Sequence, residues 1–301
     1  MKKLIVSHKI QLIQKAIIYV SCAFLVLCTI SCKDDTIAES RQEIVVEGWI
    51  DDGGFPVVLL TKNVPISSEY QSIDSLSNYL IKWAKVTVSD GENQVTLTGK
   101  FDKHYTPGYI YTTSRLRGKA GKRYTLSVDD GDFHASAETT IPQPISVDSF
   151  QVRKCADSDT LYQINAFFTD PPSEHNYYKV LTCRMNKDKE FYSAFLGTVD
   201  DNNTDTLKSI AVHRSNGILK EKEYTPYFSV NDTVIVKFAT IDSVSYLFWR
   251  DFEKVLSLSR TSFFHIYNNI HTNITGGLGY WCGYGAKYDV IDIKNRKRVT
   301  K

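Results

Sequence analysis

The sequence predicts a mainly β protein, built as two β-rich domains with one amphipathic helix in the second. Val86 and Val88 alternate with Thr87 and Ser89, and Tyr124, Leu126 and Val128 alternate with Arg123, Thr125 and Ser127. Period two is the mark of half-buried strands. Turn signals punctuate these runs at Asp51-Asp52-Gly53-Gly54, Asp90-Gly91 and Asp129 to Gly131, as hairpins require. Helical spacing is convincing in one place, where Val244, Leu247, Phe248, Phe252, Val255 and Leu256 recur every three or four residues.

The elements begin with a leader. Lys2, Lys3, Lys9 and Lys15 stand without an acidic residue among them, and an almost wholly apolar run follows to Ser31. A basic start, a short apolar run and a small residue before the cut describe a secretory signal over residues 1–31. A membrane-spanning anchor is the competing reading, but it needs about 20 apolar residues; this run is shorter and ends at Lys33-Asp34-Asp35. Ser31 precedes Cys32, while Thr29 and Ile30 are looser than the usual Leu-Ala-Gly of a lipobox. Cys32 is therefore expected to carry the protein's one covalent group, a lipid, with residues 32–40 as its tether. Acyl chains hold a membrane with about 0.8 kcal/mol per buried methylene. Lys33-Asp34-Asp35 resembles the signal that exports lipoproteins to the outer face of the outer membrane in Bacteroidetes-type bacteria.

Composition narrows the partners. Removing the four leader lysines leaves 32 basic against 34 acidic side chains, a net charge of −2. Nucleic acid is excluded as a partner, because phosphate binding needs clustered Lys and Arg. The terminal group Lys294, Arg296, Lys297, Arg298 and Lys301 reads as a solvated tail. Past the leader the cysteines are Cys32, Cys155, Cys183 and Cys282. With Cys32 lipidated the remainder is odd, so no closed disulfide framework results. A Cys155–Cys183 bridge is compatible with an oxidising export route.

Strands are expected at Glu43 to Ile50, Pro56 to Leu60, around Val86 and Val88, and at Val95 and Leu97. They continue at Tyr124 to Val128 and Phe133 to Ala137. Tyr70 to Trp83 reads as loop or short helix. Ile141-Pro142-Gln143-Pro144 ends the series, since paired prolines cannot continue a central ladder, and sets the boundary between domains 41–142 and 143–301. Longer strands follow near Val147 to Cys155, Leu161 to Thr169, Tyr177 to Met185, Glu190 to Leu196 and Thr233 to Thr240. Asp242 or Ser243 caps the helix. The chain closes with the glycine-rich, aromatic stretch Gly276 to Gly285 and a last strand, Tyr288 to Ile293.

Chemistry-bearing motifs are sparse. There is no Gly-x-Ser-x-Gly elbow and no His-Glu-x-x-His. His104, His134, His175, His213, His265 and His271 are scattered, and no metal is expected. Asp170 and Glu174 offer either an acid–base pair or a plain turn. Gly276-Gly277-Leu278-Gly279 lacks the Gly-Lys-Ser/Thr ending of a phosphate loop and reads as a tight loop or bulge. Tyr280, Trp281 and Tyr284 are the candidate ligand or partner surface, with strand core as the alternative. Asp-Ser/Thr-apolar triplets at Asp35, Asp74, Asp159, Asp205, Asp232 and Asp242 resemble O-glycosylation signals.

Four phrases carry a wider resemblance. They are Ile44-Val45-Val46-Glu47-Gly48-Trp49, then Gly118-x-x-Gly121-x-x-Tyr124-x-Leu126-x-Val128 ahead of Ile141-Pro142, then Asp170-Pro171-Pro172-x-x-x-Asn176-Tyr177-Tyr178, and Asn273-Ile274-x-Gly276-Gly277-Leu278-Gly279. In this order and spacing they resemble an uncharacterised Bacteroidetes surface-lipoprotein family, domain of unknown function forty-two forty-nine. Phe264-His265-Ile266-Tyr267 departs from the family pattern, where a proline is common. The resemblance implies an immunoglobulin- or transthyretin-like β-sandwich followed by a second β-rich domain, and association with TonB-dependent transporters; it supplies no catalytic residues. The expected role is a non-enzymatic surface lipoprotein of the outer membrane that helps a TonB-dependent transporter capture solute. The alternative is a structural or adhesive module binding protein or glycan.

Overall fold

The alternating runs around Val86 and Tyr124 become pleated strands with their apolar side buried. The computed structural model describes residues 42–63, 77–172, 175–201, 207–214, 224–261 and 270–299. Cys32, Lys33, Asp34 and Asp35 lie outside these residues, as do Glu174, His265 and the phrase Phe264 to Tyr267. Of the ambiguous stretch Tyr70 to Trp83, residues 77–79 form a single helical turn.

The first half of the chain holds β1 (Ile44–Asp51), β2 (Val57–Lys62), β3 (Lys85–Ser89), β4 (Gln94–Thr96), β5 (Thr98–Phe101), β6 (Tyr109–Thr112), β7 (Arg123–Asp129) and β8 (His134–Thr140). The second holds β9 (Ser149–Lys154), β10 (Leu161–Thr169), β11 (Tyr177–Arg184), β12 (Tyr192–Asp200), β13 (Leu207–Val212), β14 (Phe228–Ser229) and β15 (Thr233–Ile241). Helix α1 (Ser243–Thr261), β16 (Leu278–Asp292) and β17 (Lys297–Val299) complete the described chain. The aromatic stretch and the last strand of the sequence reading are thus one strand, β16.

Three sheets result. The largest has nine strands, in the order β12-β11-β15-β16-β1-β2-β6-β5, with β17 paired to β16. A four-stranded sheet, β4-β3-β7-β8, covers one half of it, and β9, β10, β13 and β14 make another that covers the second half. The first core lies between Val46, Ile50, Val58 and Leu60 of the large sheet and Val86, Val88, Leu126 and Val128 of the small one. The second joins Val180, Val234, Val236 and Phe238 to Ile164, Ala166, Phe168 and Val212.

The expected boundary at Pro142 does not part the chain into two bodies. β1 runs parallel to β16, from Val45 opposite Leu278 to Asp51 opposite Tyr284, so residues from both sides of the boundary share one sheet. Gln42–Lys301 is accordingly one compact unit. The reason is visible in β16 itself, which gives Trp281 to the first core and Ile291 to the second.

The glycines of β16 serve close packing. A Cβ at Gly283 would stand 2.8 Å from the Thr140 carbonyl oxygen, and one at Gly285 2.3 Å from that of Pro142. The chain leaving β8 therefore lies directly on β16. Gly276, with φ +85°, makes the turn before the strand, a conformation favourable only to glycine.

Asp242 caps α1, its Oδ1 accepting the Ser245 N–H at 2.8 Å. Its Oδ2 accepts the Thr139 hydroxyl at 2.8 Å and the Thr140 N–H at 3.2 Å, tying the helix start to β8. Phe248 and Trp249 then pack on Leu181, Ala239, Tyr280, Cys282 and Tyr284, the face of the large sheet opposite both four-stranded sheets.

Candidate functional site

Period two sorts the residues of β1 and β16. The even positions of β1 enter the first core, which leaves Glu47, Trp49 and Asp51 on the α1 side, opposite Tyr280, Cys282 and Tyr284. Lys237 of β15 shares that face. Its ammonium donates to Asp51 Oδ1 at 2.6 Å and lies 4.1 Å from the Tyr284 ring centroid. Tyr288 donates its hydroxyl to the other Asp51 oxygen. Burial, then the charge on Asp51, push the Tyr288 phenol well above its ordinary range.

The sheet curls so that its two flanks meet over this face. Thr106, in the loop between β5 and β6, donates hydrogen bonds to the carboxylate of Glu190, which stands just before β12 at the opposite edge. Tyr105 of the same loop packs on Trp49 with ring centroids 5.9 Å apart. Phe191 meets Tyr288 edge-on at 5.6 Å. Trp49, Tyr105, Phe191 and Tyr288 thus gather around Glu47 and Glu190 as an acidic, aromatic recess between the two flanks, and the Tyr280 hydroxyl reaches it at Glu47.

Electrostatics set the recess apart from the rest of the surface. Glu47 keeps contact with solvent, yet the protein around it raises its carboxyl pKa, partly offset by the Tyr280 hydroxyl donating at 3.0 Å. Burial, then the neighbouring Glu47 charge, lift Glu190 to about 7. A neighbouring negative charge makes a carboxyl hold its proton more tightly, as Glu47 does to Glu190. A ligand ammonium or guanidinium placed between them would relieve their repulsion, and aromatic faces favour the same cation. The rings would also stack on sugar or peptide planes.

The sequence reading and this geometry overlap in part. Tyr280, Trp281 and Tyr284 are not a surface: all three are buried. Trp281 is sealed in the first core with its indole N–H on the Tyr124 carbonyl at 3.1 Å, and strand alternation sends Tyr280 and Tyr284 under α1. Only the Tyr280 hydroxyl reaches the recess. The Cys155–Cys183 bridge is not formed, and both thiols are free. Cys155 follows β9 in a four-stranded sheet while Cys183 lies in β11 of the large one, so the layers hold them apart. Asp170 is buried and accepts the Tyr178 hydroxyl, which makes it structural. Of the Asp-Ser/Thr triplets, Asp242 is the helix cap, and Asp232 is buried with Lys187 donating to it at 2.5 Å. Glu190 and Asp51 carried no signal, since single acidic residues beside turns are commonplace; Glu47 was noticed only within its phrase.

Fold and site define a β-sandwich protein whose curled central sheet carries an acidic, aromatic-walled recess beside one helix. The chain belongs to the family described as Domain of unknown function (DUF4249), whose model matches residues 33–287. No curated protein matches it. Among the described residues no helix is long and apolar enough to cross a membrane.

Proposed function

We propose that this protein is a lipid-anchored lipoprotein on the outer face of the outer membrane, a non-enzymatic accessory of a TonB-dependent transporter that captures solute in the recess. The recess carries the reading: a solvent-reached pair of carboxylates among aromatic rings is built to hold a ligand. Support for location comes from the sequence Cys32-Lys33-Asp34-Asp35 behind a basic and then apolar stretch. Affinity capture of the native protein from crosslinked outer membranes tests it. The expected result is recovery of a transporter barrel; capture without one in every growth condition overturns the proposal.

One observation favours a second reading. A carboxyl lifted to about 7 beside another carboxyl is suited to acid–base work near neutrality. Turnover of a peptide or glycan panel, lost in Glu190→Gln, would replace capture by hydrolysis.

A further inference from the structure

We propose a divalent transition-metal site of the zinc type at His175, Asp200 and Asp201, away from the recess. The ligands come from the residues just before β11 and at the end of β12, which meet at one end of the strand pair. His175 lies two residues before β11, and the register places Tyr177 opposite Asp200, so the antiparallel pairing brings residues 25 apart in sequence to one spot. His175 Nε2 stands 3.6 Å from Asp200 Oδ1 and 3.4 Å from Asp201 Oδ1. The three ligand atoms all fall within 4.8 Å of one another.

The two histidine–aspartate separations match a shared ion better than direct contact. Hydrogen-bonded N and O atoms close to about 2.7–3.2 Å. Ligand atoms about 2.0–2.2 Å from a common tetrahedral ion stand about 3.3–3.6 Å apart. Imidazole with two carboxylates suits zinc and its neighbours and disfavours calcium or magnesium, which take oxygen alone.

Groups outside the trio hold each ligand in place, as metal sites require. The Asn176 N–H donates to Asp201 Oδ2 at 2.8 Å, leaving Oδ1 turned toward the imidazole. Tyr246 of α1 hydrogen-bonds Asp200. The His175 ring stacks on Tyr177 at 4.7 Å, and Tyr177 stacks on Tyr246 at 4.6 Å. The carboxylates are mostly covered and the imidazole is half exposed, with side-chain exposures of 16%, 9% and 50% for Asp200, Asp201 and His175. An ion would therefore be bound by three protein groups with a position left open to solvent.

Zinc titration of the metal-free full-length chain, followed by calorimetry and by thermal melting, tests the site. One equivalent is expected to bind and raise the melting temperature. Loss of the imidazole in His175→Ala is expected to weaken binding by at least about tenfold, the lower figure for disturbing even an outer partner of a metal ligand. Asp201→Asn, with its metal-free melting curve as the check on folding, is expected to behave alike. No saturable binding in the native protein, or affinity unchanged in both variants, overturns the proposal.

Discussion

Glu190 shows how one residue reports on its surroundings. Its folded pKa of about 7 lies above the ordinary glutamate value of 4.5, so between these values the folded protein holds more of a proton than the unfolded chain. Stability must then fall as pH rises through that window. Glu190→Gln is expected to flatten the fall by about 1–2 kcal/mol, after discounting the shift for partial exposure, as urea denaturation between pH 4.5 and 7.5 would measure. Trp281 makes the opposite case, a fully buried ring with its one donor satisfied. Trp281→Ala is expected to cost about 3–5 kcal/mol, read from the same denaturation curves at constant pH. The sequence marked Trp281 as important without saying whether it faced solvent or core. Only the register against β1 decides that, and register depends on partners more than 200 residues away.

Helix α1 is fixed to the sheet by more than its apolar stripe. Lys179 of β11 is fully buried, and its ammonium donates to Glu253 Oε1 at 2.5 Å, Ser193 Oγ at 2.6 Å and Thr198 Oγ1 at 2.9 Å. It also lies 4.4 Å from the Trp249 ring centroid. Burial lowers the Lys179 pKa, against the pull of Glu253. Removing one partner leaves a buried charge, so Glu253→Gln or Lys179→Met is expected to cost about 3–5 kcal/mol. The double replacement Lys179→Met with Glu253→Leu is expected to recover most of that loss, and a double-mutant cycle in denaturant measures the coupling. The helix and its Asp242 cap were legible, because capping and three-to-four spacing are local; of the expected stripe, Phe248 is buried but Val244 and Leu256 are exposed, and Trp249 takes a buried place instead. Lys179 was not: it sits in a strand run whose neighbours are ordinary, and its partner is 74 residues on.

At the scale of the whole molecule, strand content and the end of the first strand series before Pro142 could be read from the chain, while the sharing of one sheet could not. Alternation identifies strands but says nothing of which strands pair. Because β1 lies between β16 and β2, a fragment of residues 41–142 lacks the neighbour of its first strand and the Trp281 that fills its core. Such a fragment is expected not to fold cooperatively, whereas the full chain unfolds in one transition; circular dichroism of both during thermal melting distinguishes the cases. The metal trio was hidden for the same reason, since His175 meets Asp200 and Asp201 only through the β11–β12 register.

The placement of β1 also bears on mechanical load. A chain pulled from its N-terminal side transmits tension along β1, which is bonded in parallel to β16 on one flank and antiparallel to β2 on the other. Drawn lengthwise against β16, those bonds strain together in shear instead of opening one after another like a zipper. Extraction of β1 along its own axis therefore meets the resistance of both flanks at once.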